Sequence, residues 1–283
     1  MFEGKKKEPF HWRTSIAYKT QPKIVVRGYD LNDLTGNLDL GEMAYLVWRG
    51  ELPSEAHGKM LNAIMVCLAE HAFSPSSAAA RMVASGGVPI HVGVAGGLLT
   101  IGDIHGTFDR PAALFQKGMA RAKAEGRSVE EMADILVKEA REKKQRLPGF
   151  HHPQHIRDPR SARLIEVGRK LGVAGSHLAL ALGMEDATER HMGKRVWLNA
   201  VGVSGALLSD MGFEPELAKG VMLVSRCVSL VAHVYEEMTR ERGWRASRDQ
   251  EITQPLDLEL QRPEFYDGPS DRPFPADRRK LRG

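Results

Sequence analysis

Residues 147–155 read Leu147-Pro148-Gly149-Phe150-His151-His152-Pro153-Gln154-His155 and continue into Ile156-Arg157-Asp158-Pro159-Arg160. Three imidazoles and two guanidiniums thus fall within residues 151–160, directly after a Pro-Gly turn. Imidazole moves protons near neutral pH, and the planar guanidinium fork takes a carboxylate or phosphate through two bonds. A loop of that content suits acid–base work on an anion. Metal chelation is a competing use, but His151 and His155, though four apart, lie on a Pro-containing loop and make no helix signature, so no metal site is expected. Solvated histidines without function are the remaining reading.

Outside the loop, His71 and His105 each close a predicted helix, where a protonated imidazole can simply stabilise the helix C-terminus. Arg226 interrupts an otherwise apolar helical face. A buried guanidinium needs a counter-charge, supplied either by a ligand carboxylate or by an internal partner such as Glu189. Lys138, Arg141, Lys143, Lys144, Arg146, Arg157, Arg163 and Arg169 make a basic cluster that is either a solvated face or a seat for phosphates.

The 283 residues suffice for one large core or two modest lobes. A net charge of +4, from 40 basic and 36 acidic residues, suits an anionic small molecule. With no aromatic-interleaved basic motif, nucleic acid is not an expected partner. Cys67 and Cys227 sit in apolar helical runs and read as buried free thiols, which points to a reducing, cytoplasmic setting. No apolar stretch follows the basic residues Lys5, Lys6 and Lys7, so no signal peptide is expected. The longest apolar run, 88–102, contains His91 and is shorter than the ~20 residues of a span, so no membrane partner is expected either.

The elements that must position these side chains are almost all helical. Residues 1–23 form a polar arm, and 24–29 make the one convincing strand, closed by Gly28. Apolar spacing predicts a helix over 40–49 that stops at Gly50, and another from Pro53-Ser54 to Ala69. Ser74-Pro75 caps a helix over 76–85, and the Gly-rich run 88–102 reads as a central buried helix. Further helices follow Asp109-Arg110-Pro111, the Ser128-to-Glu131 capping box and the Asp158-Pro159 cap, with others over 175–191, 197–211 and 214–240. The last presents an apolar face of Val221, Val224, Val228, Val231 and Val234 or Tyr235. From Pro255 the chain is Pro-rich and charged and reads as an extended tail.

Taken in order, these segments resemble the citrate synthase superfamily, and most of all its short citryl-CoA lyase branch. The resemblance rests on Trp12-Arg13-Thr14-Ser15, on 24–29, on Trp48-Arg49-Gly50-Glu51-Leu52-Pro53, and on Glu70-His71-Ala72-Phe73-Ser74-Pro75-Ser76-Ser77 with Val83-Ala84-Ser85. It continues through Ile101-Gly102-Asp103-Ile104-His105-Gly106, the loop 147–160 and the helices of 207–237, covering roughly residues 12–270.

The resemblance implies an all-α fold: a large helical lobe and a small helical lobe with a short N-terminal β element, paired as a homodimer whose C-terminal tail packs on the partner. It implies an arm at 1–23, large-lobe elements over 24–145, loop and small-lobe helices over 146–211, a large-lobe helix over 212–250 and a tail over 251–283. It further implies that His71, His152, Arg160 and Arg226 grip the carboxylates and hydroxyl of a polycarboxylate or keto acid. His105 would hydrogen-bond a thioester oxygen and stabilise its enol, with His152 or His71 taking the hydroxyl proton. Leu147, Gly149, Phe150, Arg157 and Asn199 would meet CoA, which enters as substrate or product and not as a tightly bound cofactor.

Two departures qualify the expectation. The family's Asn-Val-Asp segment supplies a carboxylate that moves the proton on the acetyl carbon, whereas the corresponding stretch here is Asn199-Ala200-Val201. Another acid, Asp103, a neighbouring residue or water, would have to serve, or the substrate differs. The turn after His105 also departs, reading Gly106-Thr107-Phe108-Asp109, and the interval from His152 to Arg160 is one residue short. Cleavage or formation of a C–C bond in a CoA thioester of a hydroxy-polycarboxylic acid is therefore the first reading. A non-catalytic CoA or polycarboxylate binder on the same fold is the second.

Overall fold

A computed structural model describes residues 12–152, residues 155–245 and Pro273. The tail expected from Pro255 lies outside the described residues apart from Pro273. Three short antiparallel strands, β1 (Ala17–Lys19), β2 (Ile24–Val26) and β3 (Tyr29–Asp30), open the chain. The sequence predicted only the middle one. β1 is exposed throughout and falls in the expected polar arm, so it carries no burial pattern from which to read a strand.

Eleven helices follow among the described residues: α1 (Leu31–Leu34), α2 (Leu40–Arg49), α3 (Glu55–Leu68), α4 (Pro75–Ala84), α5 (Ile90–Leu98), α6 (Asp109–Glu125), α7 (Val129–Glu142), α8 (Pro159–Lys170), α9 (Ser176–Met192), α10 (Ala200–Asp210) and α11 (Pro215–Arg240). Local chemistry explains most of their starts. Asp39 with Glu42, and Ser128 with Glu131, form reciprocal capping boxes, while Pro75, Pro159 and Pro215 occupy the first turn, where a missing N–H costs nothing.

One apolar core runs from Tyr45 through Phe115, Met184 and Leu207 to Met222 and joins helices from α2 to α11. Each fully buried Leu or Met in it contributes ~1.5–3 kcal/mol of transfer free energy. A smaller cluster of Ala80, Ala84, Leu230 and Val234 fastens α4 to α11.

Two helices differ from expectation. α5 is a surface helix: Gly93 and Gly97 are buried, but Ile90, Val92 and Leu99 are exposed. A Cβ on Gly97 would lie 2.7 Å from the Ser76 carbonyl, so these glycines let α5 lie against α4 and α11 on one side only. On α11 the buried face is Ala218, Val221, Met222, Ser225, Arg226, Ser229, Leu230, Val234 and Glu237, while Val224, Val228, Val231 and Tyr235 are exposed. The expected apolar face is thus mostly turned outward. α11 is long and apolar enough to cross a membrane by composition, yet its buried face is part of the protein core. Cys67 and Cys227 are free thiols, half-buried instead of fully buried.

Candidate active site

Four segments meet around the loop after α7. Residues 149–151 pair with 197–199 in a short antiparallel bridge: Asn199 N donates to Gly149 O at 3.0 Å, and His151 N donates to Trp197 O at 2.8 Å. A Cβ on Gly202 would lie 2.2 Å from Gly149 O, so the first turn of α10 presses directly on the loop backbone. His151 has a φ of 66°, a left-handed conformation that costs a non-glycine residue energy and is held here by both bridge bonds. Glu185, almost fully buried, accepts from Leu198 N at 2.7 Å, and Thr188 Oγ1 accepts from Val196 N at 2.8 Å, fixing the other strand of the bridge.

This anchoring places His152 beside His71, with ring centroids 5.3 Å apart, and beside His155 at 4.6 Å. One ring nitrogen from each of the three lies within 4.8 Å of the other two. His71 sits past the end of α3 in a turn where Ala72 has a φ of 51° and Ser77 Oγ donates to Ala72 O at 2.7 Å. Burial, followed by the charge of Arg160, the nearby His152 and Arg226, holds the His71 ring down to about 4. His152 is also lowered, mainly by burial. Both rings are neutral near pH 7 and can accept a proton or a hydrogen bond.

His105 lies in the loop after α5, its Nε2 2.9 Å from Ser76 Oγ. Ser76 is fully buried and stands 3.1 Å from Ser74 Oγ. Burial and then Arg226 lower the His105 pKa. In the tautomer where Ser76 donates to Nε2, Nδ1 carries the proton and is the donor left for a ligand.

Arg226 faces inward from α11 with 3% exposure, and its Nε and Nη1 have no hydrogen-bond partner. Burial lowers its pKa, Glu70 opposes that shift and Arg160 adds to it. Glu189, the expected internal alternative, lies near Arg195 instead. Arg160 is differently placed, since its Nε and Nη2 donate to Asp158 at 3.0 and 2.8 Å. Burial raises the Asp158 carboxyl, but bonds from Arg160 and the Ala200 amide and the Arg160 charge bring it down to about 2. Arg160 therefore meets a ligand only with the N–H groups that Asp158 leaves over.

The residues expected to touch CoA are mostly engaged within the protein. Phe150 is buried against Phe115, and Gly149 O is taken by Asn199 N. The Asn199 amide caps α10 through Gly202 N and donates to His151 O at 2.7 Å. Leu147 packs partly on the core, and its carbonyl accepts from Phe150 N at 3.3 Å. Arg157 is the exposed exception, lying over the Trp197 ring opposite a second guanidinium, Arg195, each 4.7 Å from the centroid. With Arg169, Glu166 and Ile165 it lines a cleft of about 330 Å³. In the rest of the basic cluster, Arg163 pairs with Glu166 and Lys143 with Glu139, as on a solvated face.

Val201 occupies the first turn of α10, beside the bridge, and packs partly on the core. Asp103 is exposed and ion-paired with Arg110. Ser76 and Asp158 are contact residues of this cluster to which the sequence assigned no role in a site. Ser76 stood inside the Ser74-to-Ser77 motif and Asp158 before Pro159, so both could be read as helix starts, and that local reading hid their contacts with His105 and Arg160.

A helical protein that gathers neutral imidazoles and a buried guanidinium with two unpartnered nitrogens around one loop has the makings of a carboxylate-binding, proton-transferring site. A family model for the citrate synthase C-terminal domain matches residues 53–247, and the chain belongs to the citrate synthase family. Its fold matches the solved structure of citryl-CoA lyase from Hydrogenobacter thermophilus with a TM-score of 0.82 and 36% identity, over 94% of this chain and 98% of that one. ATP citrate lyase from Methanosaeta concilii, solved with (3S)-citryl-CoA, matches at TM-score 0.71 and 21% identity over 90% of this chain and 44% of that one, a likeness of fold. The 2-methylcitrate synthase of Shewanella oneidensis is 26% identical over 225 residues, which span 78% of this chain and 58% of that protein.

Proposed function

We propose that this chain makes or breaks the C–C bond of a CoA thioester of a hydroxy-polycarboxylic acid, with citryl-CoA the first substrate to test. The observation that carries this reading is Arg226, a buried guanidinium with two unpartnered nitrogens, whose charge reaches both His71 and His105. A polycarboxylate supplies the missing counter-charge. The similarity to citryl-CoA lyase over nearly the whole of both chains supports the thioester.

In the cleavage direction, His71 or His152, neutral at pH 7, accepts the hydroxyl proton while Arg226 and the free edge of Arg160 hold carboxylates. The C–C bond breaks as the alkoxide becomes a ketone. Its electron pair passes to the thioester fragment as an enolate, whose oxygen accepts a hydrogen bond from His105 Nδ1. The fragment then takes one proton at carbon. With Val201 in place of the family's aspartate and Asp103 paired to Arg110, that proton comes from water or is relayed from the imidazole that took the hydroxyl proton. Arg157 and Arg169, at the mouth of the 330 Å³ cleft, would hold CoA phosphates.

The exposed apolar rows of α5 (Ile90, Val92) and α11 (Val228, Val231, Tyr235) support a homodimer that covers them. The binder reading finds no separate support, and the gathered imidazoles and guanidinium favour chemistry over binding alone. Incubation with (3S)-citryl-CoA, followed by mass spectrometry of the products, should yield acetyl-CoA and oxaloacetate. Unchanged citryl-CoA at stoichiometric enzyme would refute the assignment.

A further inference from the structure

His155 has no role in the reaction outlined above, yet it is one corner of a triangle whose other corners are His71 and His152. Among the described residues no hydrogen bond or ion pair engages His155, and its ring lies against His152 at an interplanar angle of 32°. The three ligand nitrogens all lie within 4.8 Å of one another, within ring-rotation reach of the separation a tetrahedral metal imposes. Zinc–imidazole bonds of ~2.0–2.1 Å set neighbouring ligand nitrogens roughly 3.4 Å apart, and rotation of the three half-buried rings can close the difference. One corner, His152, follows directly on the anchored residues 149–151, and another, His71, comes from the turn after α3. The sequence gives no sign of this triangle because residues 71 and 152 are brought together only by folding.

We propose that His71, His152 and His155 form a three-imidazole site for a divalent transition metal of the zinc class, and that a metal held there competes with the polycarboxylate. Ligation uses the imidazole lone pair, and neutral rings are the form that provides it. A metal in this position withdraws His71 and His152 from the hydroxyl and carboxylates, and adds positive charge beside Arg160. The competition rests on the function proposed above, whereas the metal site does not.

Cobalt(II) titration of the purified full chain, followed by visible absorption, reads the site directly. One equivalent should bind with the intense bands of a four-coordinate ion, and zinc should displace it. His155→Ala should weaken cobalt binding at least about tenfold at an unchanged melting temperature, with His155→Asn as a second variant. In turnover of citryl-CoA, zinc should inhibit the wild type, and His155→Ala should keep basal activity while losing that sensitivity. Failure of cobalt to bind at millimolar concentration, or equal binding by both variants, would overturn the site. Zinc inhibition that persists in both variants would overturn the competition. A chain that binds cobalt but leaves citryl-CoA intact would sink the proposed function while upholding the metal site.

Discussion

Two arginines are almost wholly buried in this fold, Arg81 on α4 and Arg226 on α11. Arg81 on α4 donates to Glu237 at 2.7 Å and to Glu236 at 2.9 Å, and reaches Glu241 at 3.4 Å, all three on or just beyond α11. Phe73 lies against its guanidinium at 5.5 Å, and Arg245 shares Glu237 and Glu241. Arg226, further along the same α11, has two nitrogens without a partner. Burial is nearly the same, at 8% and 3% exposure, so it does not distinguish them. The difference is the counter-charge: Arg81 has three carboxylates within reach, whereas Arg226 Nε and Nη1 have no partner. The first arrangement ties α4 to α11, and the second is the one on which the proposed carboxylate binding rests.

The comparison breaks most sharply under paired truncation. Arg81→Ala should destabilise the fold by about 3–5 kcal/mol, because Glu237 is left buried without its principal partner, though Arg245 retains part of the compensation. Arg226→Met should leave denaturant stability equal or higher while lowering citrate affinity by about 2–5 kcal/mol in calorimetry. Equal stability losses in the two variants would erase the distinction.

Val201→Asp comes next in size. On the proposed function, with Val201 corresponding to the family's aspartate, exchange of deuterium into the methyl of acetyl-CoA, with oxaloacetate present, should be slow in the wild type. The new carboxylate should raise it by ~10²–10⁴-fold, offset in part by its desolvation beside the core. Rapid wild-type exchange insensitive to this substitution would place the base elsewhere.

Ser76→Ala has a smaller expected effect. It removes the partner that fixes the His105 ring, so turnover of citryl-CoA should fall by about tenfold or more with little change in KM, and Ser76→Thr should restore part of it. A loss confined to KM would contradict a role in orienting His105.

The pH response is the smallest and probes the open side alone. His71 has a folded pKa of about 4, well below the ordinary 6.5, so the unfolded chain takes up its proton first as the pH falls. Its contribution is complete above pH 6.5 and is lost progressively toward pH 4. Denaturant titrations at pH 7.5 and 5 should show that loss, and His71→Gln should flatten it; an unchanged slope would mean the ring is not buried as described.

Sequence determined what local chemistry determines. α2 spans the predicted 40–49, and the starts of α3, α4, α7, α8 and α11 follow from Ser, Asp and Pro placed where free N–H groups need capping or a missing N–H is harmless. Ordered motifs also made the family legible. Periodicity alone could not say which apolar row faces inward, because α11 is apolar on two sides. Its Arg226 face is buried and its Val228 face exposed by the neighbours it meets, α4 and α5 among them. In the same way α5 looked central because glycine among aliphatics marks close packing, which in fact occurs on one side only.

The site divides along the same line. The residue types that act on carboxylates and protons were readable in 147–160 and at His71, His105 and Arg226, since their chemistry belongs to the side chain itself. What each one is free to do was decided by tertiary structure. Asp158 occupies part of the Arg160 fork, Ser76 takes one nitrogen of His105, and Asn199 spends its amide on the loop. Arg226 retains two unpartnered nitrogens, and His155 joins His71 across 84 residues of chain. Hydrogen-bond satisfaction depends on every atom within reach, and only folding determines which atoms those are.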